Sequence, residues 1–167
     1  MFVGLGFDAH RFEPGRPLIV AGCTVRYDRG LAGFSDGDVA AHAIIDAILG
    51  AAALGDCGTM FPAGDPRFAG ADSIDLLRRA VAFVADAGYS VVNLDCTIVA
   101  EQPALSPFIE QMRATVASAA RIAVGRCSVK PKRTEGLGFT GQGQGMASFA
   151  VATLTLAATQ VRAPDPR

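Results

Sequence analysis

The sequence predicts an α+β domain, a mixed β-sheet covered on one face by helices. Strand-like segments stand at both ends of the chain, and three helical segments lie between them. A length of 167 residues is that of one ordinary domain and buries about 70% of the surface that the unfolded chain exposes. No segment repeats, so duplication contributes nothing. One domain over residues 1–159 is expected, with 160–167, which ends in Arg162-Ala163-Pro164-Asp165-Pro166-Arg167, as a disordered tail.

Met1 to Phe7 is short and apolar, and Leu18 to Val25 is a second apolar run with a turn-like Tyr27-Asp28-Arg29-Gly30 beyond it; both read as strands. From Asp38 to Leu54, Val39, Ile44, Ile45, Ile48, Leu49 and a set of alanines make a helix that is apolar nearly all round. Asp38 caps it, Gly55 follows it, and burial is expected. Asp72-Ser73 opens a second helix, with Ile74, Leu77, Val81 and Val84 at helical spacing, Asp75, Arg78, Arg79 and Asp86 on the exposed face, and Gly88 as its stop. Tyr89 to Val99 alternates Asp95 and Thr97 against Leu94, Cys96 and Ile98, as a strand does. Pro107 begins a third helix that runs to the region of Val124. After Cys127 and Val129 a polar loop is expected over Lys130 to Glu135, then a glycine-rich connection from Gly136 to Gly145, and a last strand over Met146 to Ala157.

Half the residues are hydrophobic and 19% are charged, against about 25% in an average soluble domain. Intrinsic disorder is therefore excluded. With 15 Lys+Arg against 16 Asp+Glu, no basic face for nucleic acid is expected. Cys23, Cys57, Cys96 and Cys127 are widely spaced in apolar surroundings and read as reduced packing residues of a cytoplasmic protein. The chain reaches Asp8 before any useful hydrophobic stretch, so no signal peptide is expected. The apolar part from Met146 to Ala158 is shorter than the ~20 residues that span a bilayer, so no membrane partner is expected and a soluble protein follows.

Candidate chemistry centres on few residues. Asp8 and His10 are two apart in an extended segment, so both side chains point the same way. His42, the other of the two histidines, sits in the first turn of an apolar helix where an imidazole has no obvious packing role. Asp8, His10 and His42 together form a donor trio suited to zinc with one position left open. The alternative is a cap, a surface residue and a core histidine. Asp46, one turn after His42, is placed to accept its second ring proton, or is an exposed helix carboxylate. Asp56 is either a helix-end loop residue or a carboxylate at the mouth of a site. Gly4-Leu5-Gly6 and Gly136-Leu137-Gly138 fit a loose dinucleotide fingerprint, but neither leads from a strand into a helix, and no Walker loop closes either run.

Four blocks in order resemble the 2-C-methyl-D-erythritol 2,4-cyclodiphosphate synthase family of the non-mevalonate isoprenoid pathway. They are Gly6-Phe7-Asp8-Ala9-His10-Arg11-Phe12, Ser35-Asp36-Gly37-Asp38-Val39-Ala40-Ala41-His42-Ala43, Leu54-Gly55-Asp56 with Phe61-Pro62, and Thr134-Glu135-Gly136-Leu137-Gly138-Phe139-Thr140-Gly141. The resemblance runs from Met1 to about Thr159. It implies a homotrimer around a central hydrophobic cavity, with active sites shared between subunits. It implies zinc on Asp8, His10 and His42, and magnesium or manganese on Glu135. The implied substrate is a cytidine diphosphate ester of methylerythritol carrying a 2-phosphate, which attacks the β-phosphorus, closes a ring and expels CMP. Ser35, Asp56, Cys57, Gly58, Phe61, Asp65, Thr134, Glu135 and Phe139 are the implied catalytic or substrate-binding positions. Asp56 would face the methylerythritol hydroxyls and Phe139 the central cavity. Segments around Ala100 to Ser106 and Lys132 to Glu135 of another subunit would form the cytidine and phosphate pocket.

The sequence departs from the family pattern on the substrate side. Phe34 replaces a histidine, Lys132 and Arg133 replace two threonines, and Ala104 replaces a lysine that reaches the nucleotide phosphates. Ala63 stands where an aspartate is usual and Gln142 where an arginine guards the cavity mouth. Two expectations follow: a remodelled synthase in which Lys132 and Arg133 supply the positive charge, or a paralogue that keeps trimer and metal but takes another phosphorylated ligand.

Overall fold

The computed structural model describes residues 1–157; the domain boundary at 159 and the tail over 160–167 lie outside them. The first strand, β1 (Phe2–Pro14), pairs antiparallel with β7 (Gly145–Leu156) from Phe2↔Leu154 to Arg11↔Gly145. The main sheet has the order β4-β1-β7-β5-β6, with β4 over Arg29–Leu31, β5 over Tyr89–Val99 and β6 over Cys127–Lys132. Only β5 and β6 run parallel. This is the mixed sheet of an α+β fold. Strand β1 is longer than its apolar stretch because beyond Phe7 it continues as the polar rim that carries Asp8 and His10, held in register by Ser148 and Met146.

The run Leu18 to Val25 is a hairpin rather than one strand: β2 (Leu18–Val20) turns back into β3 (Cys23–Val25). Both turn residues, Ala21 (φ 48°) and Gly22 (φ 73°), are left-handed, as a tight hairpin needs. Alanine is a poor turn signal, and what holds it there is tertiary. The Asp38 carboxylate accepts the N–H groups of Ala21 (2.8 Å) and Gly22 (2.6 Å) as well as those of Ala40 and Ala41 in the first turn of α1 (Val39–Ala51). One fully buried side chain thus caps a helix and closes a hairpin.

Helix α1 ends three residues before Leu54, where Ala53 turns left-handed (φ 56°). Two short helices add to the three expected ones. The segment α2 (Cys57–Met60) is capped by Asp56, which accepts the Thr59 N–H at 2.7 Å, and α5 (Gly138–Gly141) lies inside the glycine run. The longer α3 (Ser73–Asp86) is capped by Asp72, and α4 (Ile109–Ala119) follows a 3₁₀ turn at Ser106–Phe108. Of the polar loop expected over Lys130 to Glu135, Lys130 to Lys132 are instead the second half of β6, and only Arg133 to Glu135 form a loop. The strand extends past its apolar residues because it is an edge strand, with Lys130 paired to Asp95 of β5 at 2.6 Å.

The core lies between α1 and the strands β1 and β7, with α3 packed beside α1 and against β5. The contact is close because Gly4 and Gly6 face the helix: a Cβ on Gly6 would stand 1.9 Å from the Ala43 carbonyl oxygen, and one on Gly4 2.1 Å from that of Ala47. The Gly4-Leu5-Gly6 pattern therefore serves backbone packing. On the opposite face of the sheet Val3, Leu5, Phe7, Phe149 and Val151 are exposed, with the Phe7 and Phe149 rings 4.8 Å apart. Among the described residues no helix is long and apolar enough to cross a membrane.

The four cysteines are free thiols, and Cys23, Cys96 and Cys127 are buried. Burial pushes the Cys96 thiol up to about 12 and the Cys127 thiol up to about 11, so almost no reactive thiolate exists at neutral pH. Alkylation of Cys96 by iodoacetamide at pH 8 is expected to be at least ~100-fold slower in the folded protein than in urea, measured by mass spectrometry of digests. Comparable rates in the two states would contradict this burial.

Candidate functional site

Strand β1 sends Asp8 and His10 to the same side, and α1 brings His42 over them from its first turn. Asp8 Oδ2 lies 2.7 Å from His10 Nε2 and 3.0 Å from His42 Nδ1, and the two ring nitrogens are 3.2 Å apart. Three ligand atoms thus meet in a triangle. Burial alone would favour the neutral acid at Asp8, but hydrogen bonds from both imidazoles and their charge outweigh it and hold the carboxyl well below its usual range. Burial opposes a charge on His42 as well, yet the Asp8 partner raises its affinity for a proton.

The triangle also fits a metal. In a tetrahedral site with ligand bonds of ~2.0 Å, ligand atoms lie ~3.3 Å apart, close to the separations found here. One carboxylate oxygen and two neutral imidazole nitrogens carry too few protons to satisfy all three mutual contacts, so a cation at their centre suits the donor set. Among the described residues this is the one cluster of His, Cys, Asp and Glu with that convergence, and Glu135 does not belong to it.

The expected role of Asp46 is corrected by the structure. Its Oδ1 accepts the Cys57 N–H at 2.8 Å and so ties the middle of α1 to the start of α2. The second nitrogen of His42, Nε2, instead meets Ser35 Oγ at 3.1 Å and Ser73 Oγ at 3.0 Å. A helical side chain leans toward the N-terminus of its helix, so the imidazole reaches back to the loop before α1 and away from a residue four positions later. Sequence reasoning missed Ser73 and Asp36, the residue that holds it. Asp36 stands in the Ser35-Asp36-Gly37-Asp38 block, and Ser73 is visible only as the residue after a cap.

A cleft of about 430 Å³ opens over the trio, lined also by Asp46, Asp56, Cys57 and Ala63. Burial and then the Asp46 carboxylate push the Cys57 thiol up to about 12. Asp56 is exposed at the mouth and is held below its usual range first by the Thr59 side chain and then by backbone N–H groups. An adjoining cavity of about 150 Å³ is apolar, walled by Phe34, Phe61, Phe68 and Leu76 beside His10 and His42. Arg16 fixes this wall by donating to the carbonyls of Gly33 (2.6 Å) and Ser35 (2.5 Å) on either side of Phe34. Gly58 lines the cleft, whereas Asp65 is taken up in capping a 3₁₀ turn and pairing with Arg67 at 2.6 Å.

A second pocket, of about 170 Å³, is lined by Ala100, Ala104, Ser106, Lys132 and Arg133. Beyond it Glu135 sits in the left-handed region (φ 51°), a strained position for a residue with a Cβ. The Thr134 hydroxyl donates to the Leu137 carbonyl at 2.7 Å, and Phe139 and Gln142 lie on the short turn that follows. The structure therefore gathers Asp8, His10, His42, Asp56, Cys57, Gly58 and Ala63 around the cleft, Phe34, Ser35 and Phe61 around the cavity that adjoins it, and Ala104, Lys132 and Arg133 around the second pocket.

The sequence profile of the YgbB family matches residues 1–155. The chain belongs to this family. A relative from Moorella thermoacetica named 2-C-methyl-D-erythritol 2,4-cyclodiphosphate synthase is 52% identical over 154 residues, 92% of this chain and 94% of its own. One of the same name from Burkholderia thailandensis is 51% identical over 150 residues, 90% of this chain and 93% of its own. Among solved structures, the bifunctional IspDF of Campylobacter jejuni superimposes with a TM-score of 0.89 at 41% identity, covering 93% of this YgbB chain and 42% of the longer protein. A 2C-methyl-D-erythritol-2,4-cyclodiphosphate synthase described as a CDP-bound form gives 0.84 at 33% identity, covering 92% and 99%.

Proposed function

We propose that the protein converts 4-diphosphocytidyl-2-C-methyl-D-erythritol 2-phosphate to 2-C-methyl-D-erythritol 2,4-cyclodiphosphate and CMP. The observation that carries this reading is the convergence of Asp8, His10 and His42 at the floor of a cleft, in a chain half identical to synthases of that name. The attacking 2-phosphate is already an anion, so no strong base is needed. The barrier lies in bringing negatively charged phosphoryl groups into line, which calls for cations and preorganised donors. A P–O bond forms from the 2-phosphate to the β-phosphorus while the bond from that phosphorus to the bridging oxygen breaks, and the electron pair leaves with CMP.

Asp8, His10 and His42 would hold zinc and Glu135 would hold magnesium or manganese, and these cations would supply the positive charge that polarises the phosphates and offsets their mutual repulsion. Asp8, His10 and His42 supply three donors, one fewer than zinc usually takes, so a phosphate oxygen of the substrate would complete the set. Asp56, ionised at the mouth, accepts hydrogen bonds from the methylerythritol hydroxyls. Lys132 and Arg133 meet the nucleotide phosphates from the second pocket in place of the lysine that Ala104 lacks. Phe34, Phe61 and Phe68 exclude water from one side of the metal. The strain at Glu135 supports a functional carboxylate there.

The reading includes a homotrimer in which the second pocket of one subunit completes the cleft of its neighbour. The apolar strip Val3, Leu5, Phe7, Phe149 and Val151 supports assembly, since a monomer would leave it in water. Phe139 faces the central cavity of that trimer. A cytoplasmic location is supported by the free thiols. The comparisons do not favour the paralogue with another ligand. Purified protein incubated with the cytidine diphosphate substrate, zinc and magnesium is expected to release CMP and the cyclodiphosphate in equal amounts. No CMP under these conditions would overturn the proposal.

A further inference from the structure

Two side chains, Asp36 and Ser73, stand in line behind His42 of the trio. Asp36 Oδ1 lies 2.5 Å from Ser73 Oγ, and Ser73 Oγ lies 3.0 Å from His42 Nε2. We propose that Ser73, held by Asp36, is a positioning residue that keeps the His42 proton on Nε2 and its lone pair on Nδ1, aimed at Asp8 and His10. This rests on the metal reading of the trio.

A carboxylate only accepts, so the single Ser73 proton is directed at Asp36. The Ser73 oxygen then has only lone pairs to offer His42, so the 3.0 Å contact is a hydrogen bond only with the hydrogen on Nε2. A neutral imidazole with its proton there has its lone pair on Nδ1, the nitrogen that stands 3.0 Å from Asp8 Oδ2 and 3.2 Å from His10 Nε2. Ser35 Oγ, 3.1 Å from the same Nε2, has a lone pair for it as well when its own proton points elsewhere. That oxygen accepts the Gly37 N–H at 3.3 Å and lies 3.5 Å from Ser73 Oγ, to which its own proton can turn.

Ser73 is fully buried, as the low dielectric around such a relay requires. The hydroxyl is separable from the structural role of its surroundings. Asp36 Oδ2 binds the Ser73 backbone N–H at 2.9 Å, Asp36 Oδ1 also accepts the Asp38 N–H at 3.1 Å, and α3 is capped by Asp72. All of these survive removal of the hydroxyl alone. Asp36 thus ties the start of α3 to the start of α1, and the Ser73 hydroxyl extends that tie to the imidazole.

With only two histidines in the chain, ¹⁵N-histidine labelling of the full-length protein gives two imidazoles to read. In metal-free protein, at a pH high enough that the imidazole ¹⁵N shifts no longer change, His42 is expected to show a protonated Nε2 and a bare Nδ1. Ser73→Ala is expected to populate the Nδ1–H form and to lower zinc affinity, by chelator competition, ~10–100-fold. Ser73→Thr keeps the hydroxyl and is expected to restore both. Thermal unfolding of each metal-free variant reports separately on the fold. Ser73→Ala with unchanged zinc affinity and an unchanged Nε2–H signal would overturn the proposal. So would a proton on Nδ1 in the unaltered protein, a measurement that needs no variant to fold. Failure of the unaltered protein to take up zinc would instead remove the metal reading, and the His42 tautomer would still decide the relay.

Discussion

Replacing His42 with alanine is expected to abolish metal retention and product formation while leaving the fold largely in place. His42 supplies one of three converging ligand atoms, and without it Asp8 and His10 offer two donors from one strand. Two donors cannot define a tetrahedral site. Loss of zinc affinity should therefore exceed the ~100-fold that marks the upper end for residues behind the ligands. The fold does not depend on the imidazole in the same way. Helix α1 is anchored by the Asp38 cap and by Ala43, Ile44, Ile45, Ile48 and Leu49, all fully buried. The measurements are zinc content of untreated protein, CMP release and thermal unfolding. A variant that keeps full activity would refute the role assigned to the trio.

The parts of this molecule legible in the sequence are those where local pattern and tertiary demand coincide. Helix α1 announces itself because it is apolar nearly all round and opens on Asp38, and the Asp8–His10 pair because spacing by two fixes a common side on any strand. The hairpin at Ala21–Gly22 is not legible, since its left-handed alanine is held by a carboxylate that comes later in the chain. Strand β6 is hidden for another reason: as an edge strand it is polar where it meets solvent, and the Lys130 pairing with Asp95 is a contact across strands. The error at Asp46 is instructive as well. Spacing by four placed it on the face of His42, but the lean of the helical side chain toward the N-terminus gave that imidazole to Ser35 and Ser73. Departures from family pattern are visible residue by residue, whereas their clustering shows only in space. Phe34 and Ala63 line the apolar cavity beside the trio, and Ala104, Lys132 and Arg133 share the second pocket.

Gly6→Ala is expected to destabilise the protein by at least ~3 kcal/mol, the upper range for forcing extra volume into a packed core. The added Cβ would stand 1.9 Å from the Ala43 carbonyl oxygen and 2.6 Å from the Ala47 nitrogen. Both are backbone atoms of α1, so no side chain can swing aside and the helix itself must lift by more than an ångström. Lifting α1 separates Ala43 and Ala47 from the sheet and carries His42, the neighbour of Ala43, away from Asp8 and His10. The same methyl group should therefore weaken zinc binding at a distance. The control lies in the same helix: a Cβ on Gly50 meets nothing within 4 Å, and Gly50→Ala should stabilise by about 0.5–1 kcal/mol through helix propensity alone. Urea denaturation of the two variants beside the unaltered protein separates crowding from propensity. If Gly6→Ala unfolds at the same urea concentration as the unaltered protein, α1 does not rest on β1 through that glycine, and the account of how His42 reaches the strand pair is wrong.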